Sequence, residues 1–322
     1  VSHRALLGAA LALLTTSAAA GAGREPPLAF VTNQGEDSVT VIDLLARKPV
    51  ATLAVGKRPA GVAVAGPAGD LVFVSNPEGN EVSVLDPRAP RTLRAIATGT
   101  SPLGIAADPV RARVYVANWF ERRVEVIDRG TMAVIDRYTV GNTPAGLAVS
   151  RDGTRLAVAN RDDDDVLLFD LTAGTRDGQR IAVGRRPFGV TLSDDGTLLF
   201  TANVRSDDVS IVDLAAGRER ARVKVGDAPY ASVHDAARGL LFVTNQQEGT
   251  VSVIDVTEAR ELTRIPVGDY PEGIDLSARL DRVYVASWFD NALYVIDPAT
   301  LEVETSIPCG EGSRAFGEFI RE

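Results

Sequence analysis

The chain has 322 residues and a formal net charge of −9, an acidity that argues against a broad footprint on nucleic acid or anionic lipid, where phosphates demand clustered Lys and Arg. One Cys (Cys309), one Met (Met132) and two His, of which His3 stands near the N-terminus, exclude an internal disulfide, a CxxCH haem attachment and a zinc site built on several His or Cys ligands. No cofactor or metal is expected from this inventory.

The first element, VSHRALLGAALALLTTSAAAGAG, has a basic start at Arg4, an Ala/Leu-rich run and a small-residue end at Ala18–Ala20. That is the pattern of a secretory signal peptide over residues 1–20, with cleavage as late as residue 23. The apolar run is weakly hydrophobic and shorter than the ~20 residues of a membrane span. No Cys offers a lipid anchor at the cleavage point, and no twin-Arg pair is present. The remaining chain, 24–322, is expected in the periplasm or outside a bacterial cell, with no membrane span, and it keeps 33 basic against 43 acidic residues.

Seven related units follow. FVTN (30–33), FVSN (73–76), YVAN (115–118), AVAN (157–160), FTAN (200–203), FVTN (242–245) and YVAS (284–287) recur every 42 or 43 residues. Each is followed ten residues later by an Asp, from Asp43 and Asp86 through to Asp297. So regular a period signals a repeat architecture and overrules the two domains that length alone would suggest. Within a unit, short alternating runs such as LVFVSN, EVSVLD and ARVKVG are separated by Gly, Pro, Asn and Asp, with no helical period. Four such strands per unit make a propeller blade, and seven blades predict an all-β, seven-bladed β-propeller of antiparallel blades in a single domain. The chain enters on LAFVTN, a second strand, and ends on SRAFGEFI (313–320), which matches a first-strand slot. The C-terminal strand is therefore expected to complete blade 1 and leave no exposed edge.

These motifs carry a resemblance. The YVTN-type signature, the VGxxPxG turn (Gly56 to Gly61, Gly141 to Gly146, Gly184 to Gly189) and the VxVID strand resemble the YVTN-repeat seven-bladed β-propellers over roughly residues 28–320. The resemblance implies an extracytoplasmic protein that binds or scaffolds. One periplasmic relative is linked to DNA, a role at odds with the acidic charge here. Fold alone does not assign activity.

Candidate residues are those that break the repeat. At the end of the ring where the strand entering each blade and the second-to-third-strand loops meet, here the upper face, the slot after the turn Pro reads Ala60, Leu103, Ala145, Phe188, Tyr230, Glu272 and Arg314. Two rings, an acid and a base on neighbouring blades suggest a mixed pocket at the channel mouth, or an ion pair covered by two rings. The loops NWFERR and SWFDN place Trp119-Phe120 and Trp288-Phe289 on roughly opposite sides of the ring, a spacing suited to a wide partner, unless each Trp caps its own blade and packs on an adjacent loop. The acidic loops NRDDDDV (160–166) and NVRSDDV (203–209) lack calcium-loop spacing and read as solvated turns. Along the inner strands His234, Asp275 and Glu318 interrupt an apolar pattern, with Asp275 facing away from the other two, and Cys309 fills a slot otherwise held by Val.

Three functions fit. The first is a non-catalytic periplasmic or secreted binding or scaffolding module, expected to be a monomer, using the upper face on a protein or small ligand. The second is a lactonase or lyase-like enzyme using His234, Glu318, Glu272 and Arg314. The third is a haem-type cofactor carrier with His234 as ligand.

Overall fold

A computed structural model describes residues 25–66, 69–174 and 176–322; the expected signal peptide lies outside them. Seven sheets follow one another along the chain, five of four antiparallel strands and two enlarged by pieces of the C-terminus, one of which pairs parallel. Apart from one short 3-10 turn at Arg161–Asp163, all regular structure described is strand.

The strand sequences explain the layering. In each blade the second and third strands are almost wholly buried, as in Leu28–Asn33 and Ser38–Asp43 of blade 1, because they are sandwiched between neighbouring blades. The outermost strands, such as Lys48–Ala54, bury one residue in seven and carry the charges. Apolar clusters cross from blade to blade: Phe242 and Val251 of blade 6 pack with Ile274, Val283 and Val285 of blade 7. No helix among the described residues is long and apolar enough to cross a membrane.

The repeated motifs have structural duties. The signature Asn is fully buried; Asn33 donates to the hydroxyls of Ser38 and Thr40 at 2.8 and 2.9 Å and accepts from the Gly310 N–H at 3.0 Å. A buried amide so satisfied ties one blade to the turn beside it. The second Gly of VGxxPxG is a close-approach glycine: a Cβ on Gly146 would collide with the Phe188 carbonyl oxygen of the next inner strand. The recurring Asp closes the turn before the outer strand, Asp43 accepting from the Ala46 N–H at 2.8 Å and Asp128 from the Thr131 N–H at 2.7 Å.

The ring closes through the C-terminus as expected, but in pieces. Ser313–Arg314 and Ile320–Arg321 pair antiparallel with Leu28–Asn33 of blade 1, whereas Phe316–Glu318 between them pairs parallel with Gly61–Ala65 of blade 2. Gly317 makes the excursion possible, at φ +113° and with no room for a Cβ against the Val62 carbonyl. Phe319 returns to the core, fully buried. Asp275 of blade 7 fixes this return: its Oδ2 accepts from the Phe319 and Ile320 N–H groups at 2.8 and 3.0 Å.

Candidate functional site

The upper mouth is sealed. Phe188, Tyr230, Glu272 and Arg314 do meet on neighbouring inner strands, yet all four are buried, so they form a plug in place of an open pocket. Phe188 stacks on Tyr230 with ring centroids 4.1 Å apart, and Phe316 packs against both at 5.2 and 5.6 Å. The Arg314 guanidinium pairs with Glu272 and donates to the Tyr230 hydroxyl at 2.7 Å, while Gln246 donates to Glu272 at 2.6 Å. Burial pulls the Arg314 pKa down, but Glu272 and the Tyr230 phenol more than offset it and hold the guanidinium charged.

The two Trp-Phe pairs are joined by this plug. Trp119 packs on Phe188 at 5.9 Å, and Arg314 lies over the Trp288 ring at 5.3 Å. A continuous chain, Trp119–Phe188–Tyr230–Arg314–Trp288, thus spans the mouth, and the two indoles are half-buried parts of it. Of the two readings of these pairs, packing on neighbouring groups describes the indoles, while Phe120 (71% exposed) and Phe289 (61%) are the two of the four that face solvent. Sequence spacing placed the tryptophans on distant blades but could not show that both lean toward the axis.

The acidic loops are likewise not idle turns. In 160–166, Asp162 accepts from the Thr143 hydroxyl at 2.6 Å, Asp163 from the Asn142 N–H at 2.8 Å, Asp164 from the Arg186 N–H at 2.7 Å and Asp165 from the Asn160 amide at 2.7 Å. In the next blade Asp207 accepts from the Ala228 N–H at 3.1 Å. Most of these bonds staple one loop to the strand entry beside it.

Below the plug lies a cavity of about 640 Å³ that reaches the opposite, lower face through Asp108, Pro109, Arg151, Asp194 and Ala278. It is a cup with Phe316 as part of its floor, walled by short apolar side chains and by His234, Asp275 and Glu318. The His234 ring packs on Phe200 at 5.2 Å, its Nδ1 has no hydrogen-bond partner, and burial lowers its pKa against the opposing pull of Asp194, Asp195 and Asp235. Burial and the neighbouring Glu318 charge push Asp275 up to about 8 despite its three backbone donors. Glu318 is raised too, by burial and then by Asp194. As its strand parity implied, Asp275 spends its carboxylate on the closing strand.

The four residues of the enzymatic reading are therefore not one constellation. Four residues of extended strand, about 13 Å, separate Tyr230 from His234, Arg314 pairs with blade 1 whereas Glu318 pairs with blade 2 beyond the Gly317 kink, and the Glu272–Arg314 pair sits in the plug, outside the lining of the cup. Cys309 is half-buried against the core of blade 1, and burial pushes its thiol up to about 12, the behaviour of a packed hydrophobe. Three further residues shape the site. Phe316 was legible as the largest side chain in a slot otherwise holding Val62, Ile105, Leu147, Val190, Ser232 and Ile274. Asp194 and Arg151, paired at 2.7 Å across the lower rim, occupy the same loop position of adjacent blades and carried no signal beyond that.

Residues 64–198 match the family model described as YNCE-like beta-propeller. The chain fits a YVTN-type seven-bladed propeller family. No match was found among curated proteins. Among solved structures the propeller is similar to Kuenenia stuttgartiensis hydrazine synthase, with 23% identity, 84% of this chain and 92% of that chain covered, and a TM-score of 0.76. A functionally unknown protein from Desulfotomaculum acetoxidans DSM 771 gives 13% identity, coverage of 90% and 99%, and a TM-score of 0.76. Dihydro-heme d1 dehydrogenase NirN in complex with DHE gives 18% identity, 87% of this chain but 63% of that one, and a TM-score of 0.67. At these identities the likeness concerns the propeller's fold.

Proposed function

We propose that the chain is an exported, non-catalytic binding propeller that takes a small organic molecule into its lower-face cup. The observation that carries this reading is the cup itself: about 640 Å³, closed at one end by a bonded aromatic plug, and lined by apolar walls with a few polar groups. The N-terminal signal pattern supports export. The separation of Glu272 and Arg314 from His234 and Glu318 weighs against hydrolysis by that set. A haem-type macrocycle does not fit the lining: its own carboxylates would meet Asp108, Asp194, Asp275, Glu318 and Glu322, against Arg151 alone among Lys and Arg.

The test is the intact mass of protein isolated from a producing cell, native against denatured, for the unaltered chain and for Val149→Trp, which puts a large ring into the wall of the cup. A small mass carried by the former and absent from the latter supports the reading. Equal native and denatured masses for the unaltered chain shift weight to a second reading, in which the exposed Phe120 and Phe289 anchor a protein partner on the upper face. Capture of such a partner would then be lost in Phe120→Ala and Phe289→Ala.

A further inference from the structure

The side-chain donors of the cup are mostly spent on the protein itself. The Thr191 hydroxyl donates to the Ser232 carbonyl oxygen at 2.8 Å and lies 2.9 Å from the Ser232 hydroxyl, and the Ser193 hydroxyl donates to Asp195 at 2.6 Å. Arg151 is paired with Asp194 at 2.7 Å, out on the solvent-exposed rim. Among the described lining residues His234 is different, because neither of its ring nitrogens bonds to the protein.

The two nitrogens sit in unlike places. Nδ1 is shut away without a partner, whereas Nε2 is the accessible nitrogen of a ring that lines the cavity. Phe200 packs on that ring at a centroid distance of 5.2 Å and holds its orientation. A neutral imidazole has one N–H and one bare lone pair, and its tautomer follows the bonds that the two nitrogens can make. A buried N–H without an acceptor is rarer and less tolerated than a buried acceptor left short of a donor. The proton therefore belongs on Nε2 and the lone pair on Nδ1. Burial lowers the pKa of the ring by more than Asp194, Asp195 and Asp235 raise it, which keeps the imidazole uncharged near neutral pH. The cup thus presents one uncharged side-chain N–H in a wall of hydrocarbon that includes Val190, Leu192, Val233 and Leu276.

We infer that the ligand of the cup is a neutral molecule, an apolar body bearing a carbonyl or ether oxygen, and that this oxygen accepts a hydrogen bond from the Nε2–H of His234. The inference rests on the cup being the binding site. An oxygen that only accepts suits a ring whose lone pair is turned away from the lumen. An anionic acceptor is disfavoured, since the described lining carries five carboxyl groups against one guanidinium.

The experiment is NMR of the purified protein labelled with 15N at histidine, near neutral pH, with the His234 ring signals assigned by their loss in His234→Phe. The free protein should show a neutral ring with its proton on Nε2; a proton on Nδ1, or a doubly protonated ring, overturns the inference. The protein is then titrated with three probes of similar shape: acetophenone, ethylbenzene and benzoate. Acetophenone should bind about fivefold tighter than ethylbenzene, the gain from one neutral hydrogen bond, and benzoate should bind most weakly. His234→Phe keeps an aromatic ring against Phe200 and removes the N–H, so it should abolish the preference for acetophenone and leave ethylbenzene unchanged. Equal binding of acetophenone and ethylbenzene, a preference for benzoate, or a preference that survives in His234→Phe overturns the acceptor inference while the cup reading stands. No binding of any of the three at about millimolar concentration overturns both. If His234→Phe fails to fold, the tautomer and the order of the three probes on the unaltered protein decide.

Discussion

Replacing Arg314 by Met strips Glu272, with 1% of its side chain exposed and its pKa already raised by burial, of its counter-charge and removes the donor to Tyr230. Breaking a buried pair by deleting one partner costs about 3–5 kcal/mol, because the surviving charge keeps its desolvation penalty. Glu272→Gln added to Arg314→Met removes that charge while preserving an acceptor for Gln246. The double variant should therefore be more stable than Arg314→Met alone by about 2 kcal/mol, a coupling within the range seen for contacting residues. Urea unfolding followed by Trp fluorescence reads this directly, since the Trp288 ring lies over Arg314 and Trp119 touches Phe188. If Arg314→Met costs under about 1 kcal/mol, or the two substitutions simply add, the plug is not a desolvated ion pair and the sealed mouth has been misread.

Phe319→Ala should lower stability by about 3–5 kcal/mol, and a chain ending at Gly312 should lose cooperative unfolding; a soluble truncation with unchanged melting would show that the ring does not depend on its closing segment. Asp275 titrates in the folded protein at about 8, against about 3.9 unfolded. The folded state thus holds the proton more tightly, so this group's contribution to stability is fully present below the unfolded value and lost as pH rises toward 8. Asp275→Asn should flatten that part of the stability profile measured by urea unfolding, and an unchanged slope would refute the assignment. The Cys309 thiol, pushed up to about 12, should react slowly with a thiol reagent at pH 8 in the folded protein and quickly in denaturant, so fast native labelling would contradict its packing. Trp119→Ala should depress the melting temperature, whereas Phe120→Ala should stay within about 0.5 kcal/mol of the parent; the reverse order would make Trp119 a surface residue.

The repeat by itself determines most of the architecture. A period of 42 or 43 residues, period-2 apolar runs and a first-strand sequence left over at the C-terminus together fix the blade size, the blade number and closure through the C-terminus, though not its division between blades 1 and 2, because strand pairing and sandwich burial are written locally. The residues that break the pattern were also legible, and Phe188, Tyr230, Glu272 and Arg314 do assemble as neighbours. What sequence could not decide is which end of the channel is open. That depends on how far side chains from five blades reach across the axis, and the reach is set by the ring's radius and by contacts between residues far apart in the chain, such as Tyr230 with Arg314. The same holds for Glu318. Its type and slot were visible, but its place in the wall of the cup, exposed to the lumen, follows from the kink at Gly317 and the switch from blade 1 to blade 2, relations that exist only once the ring has closed.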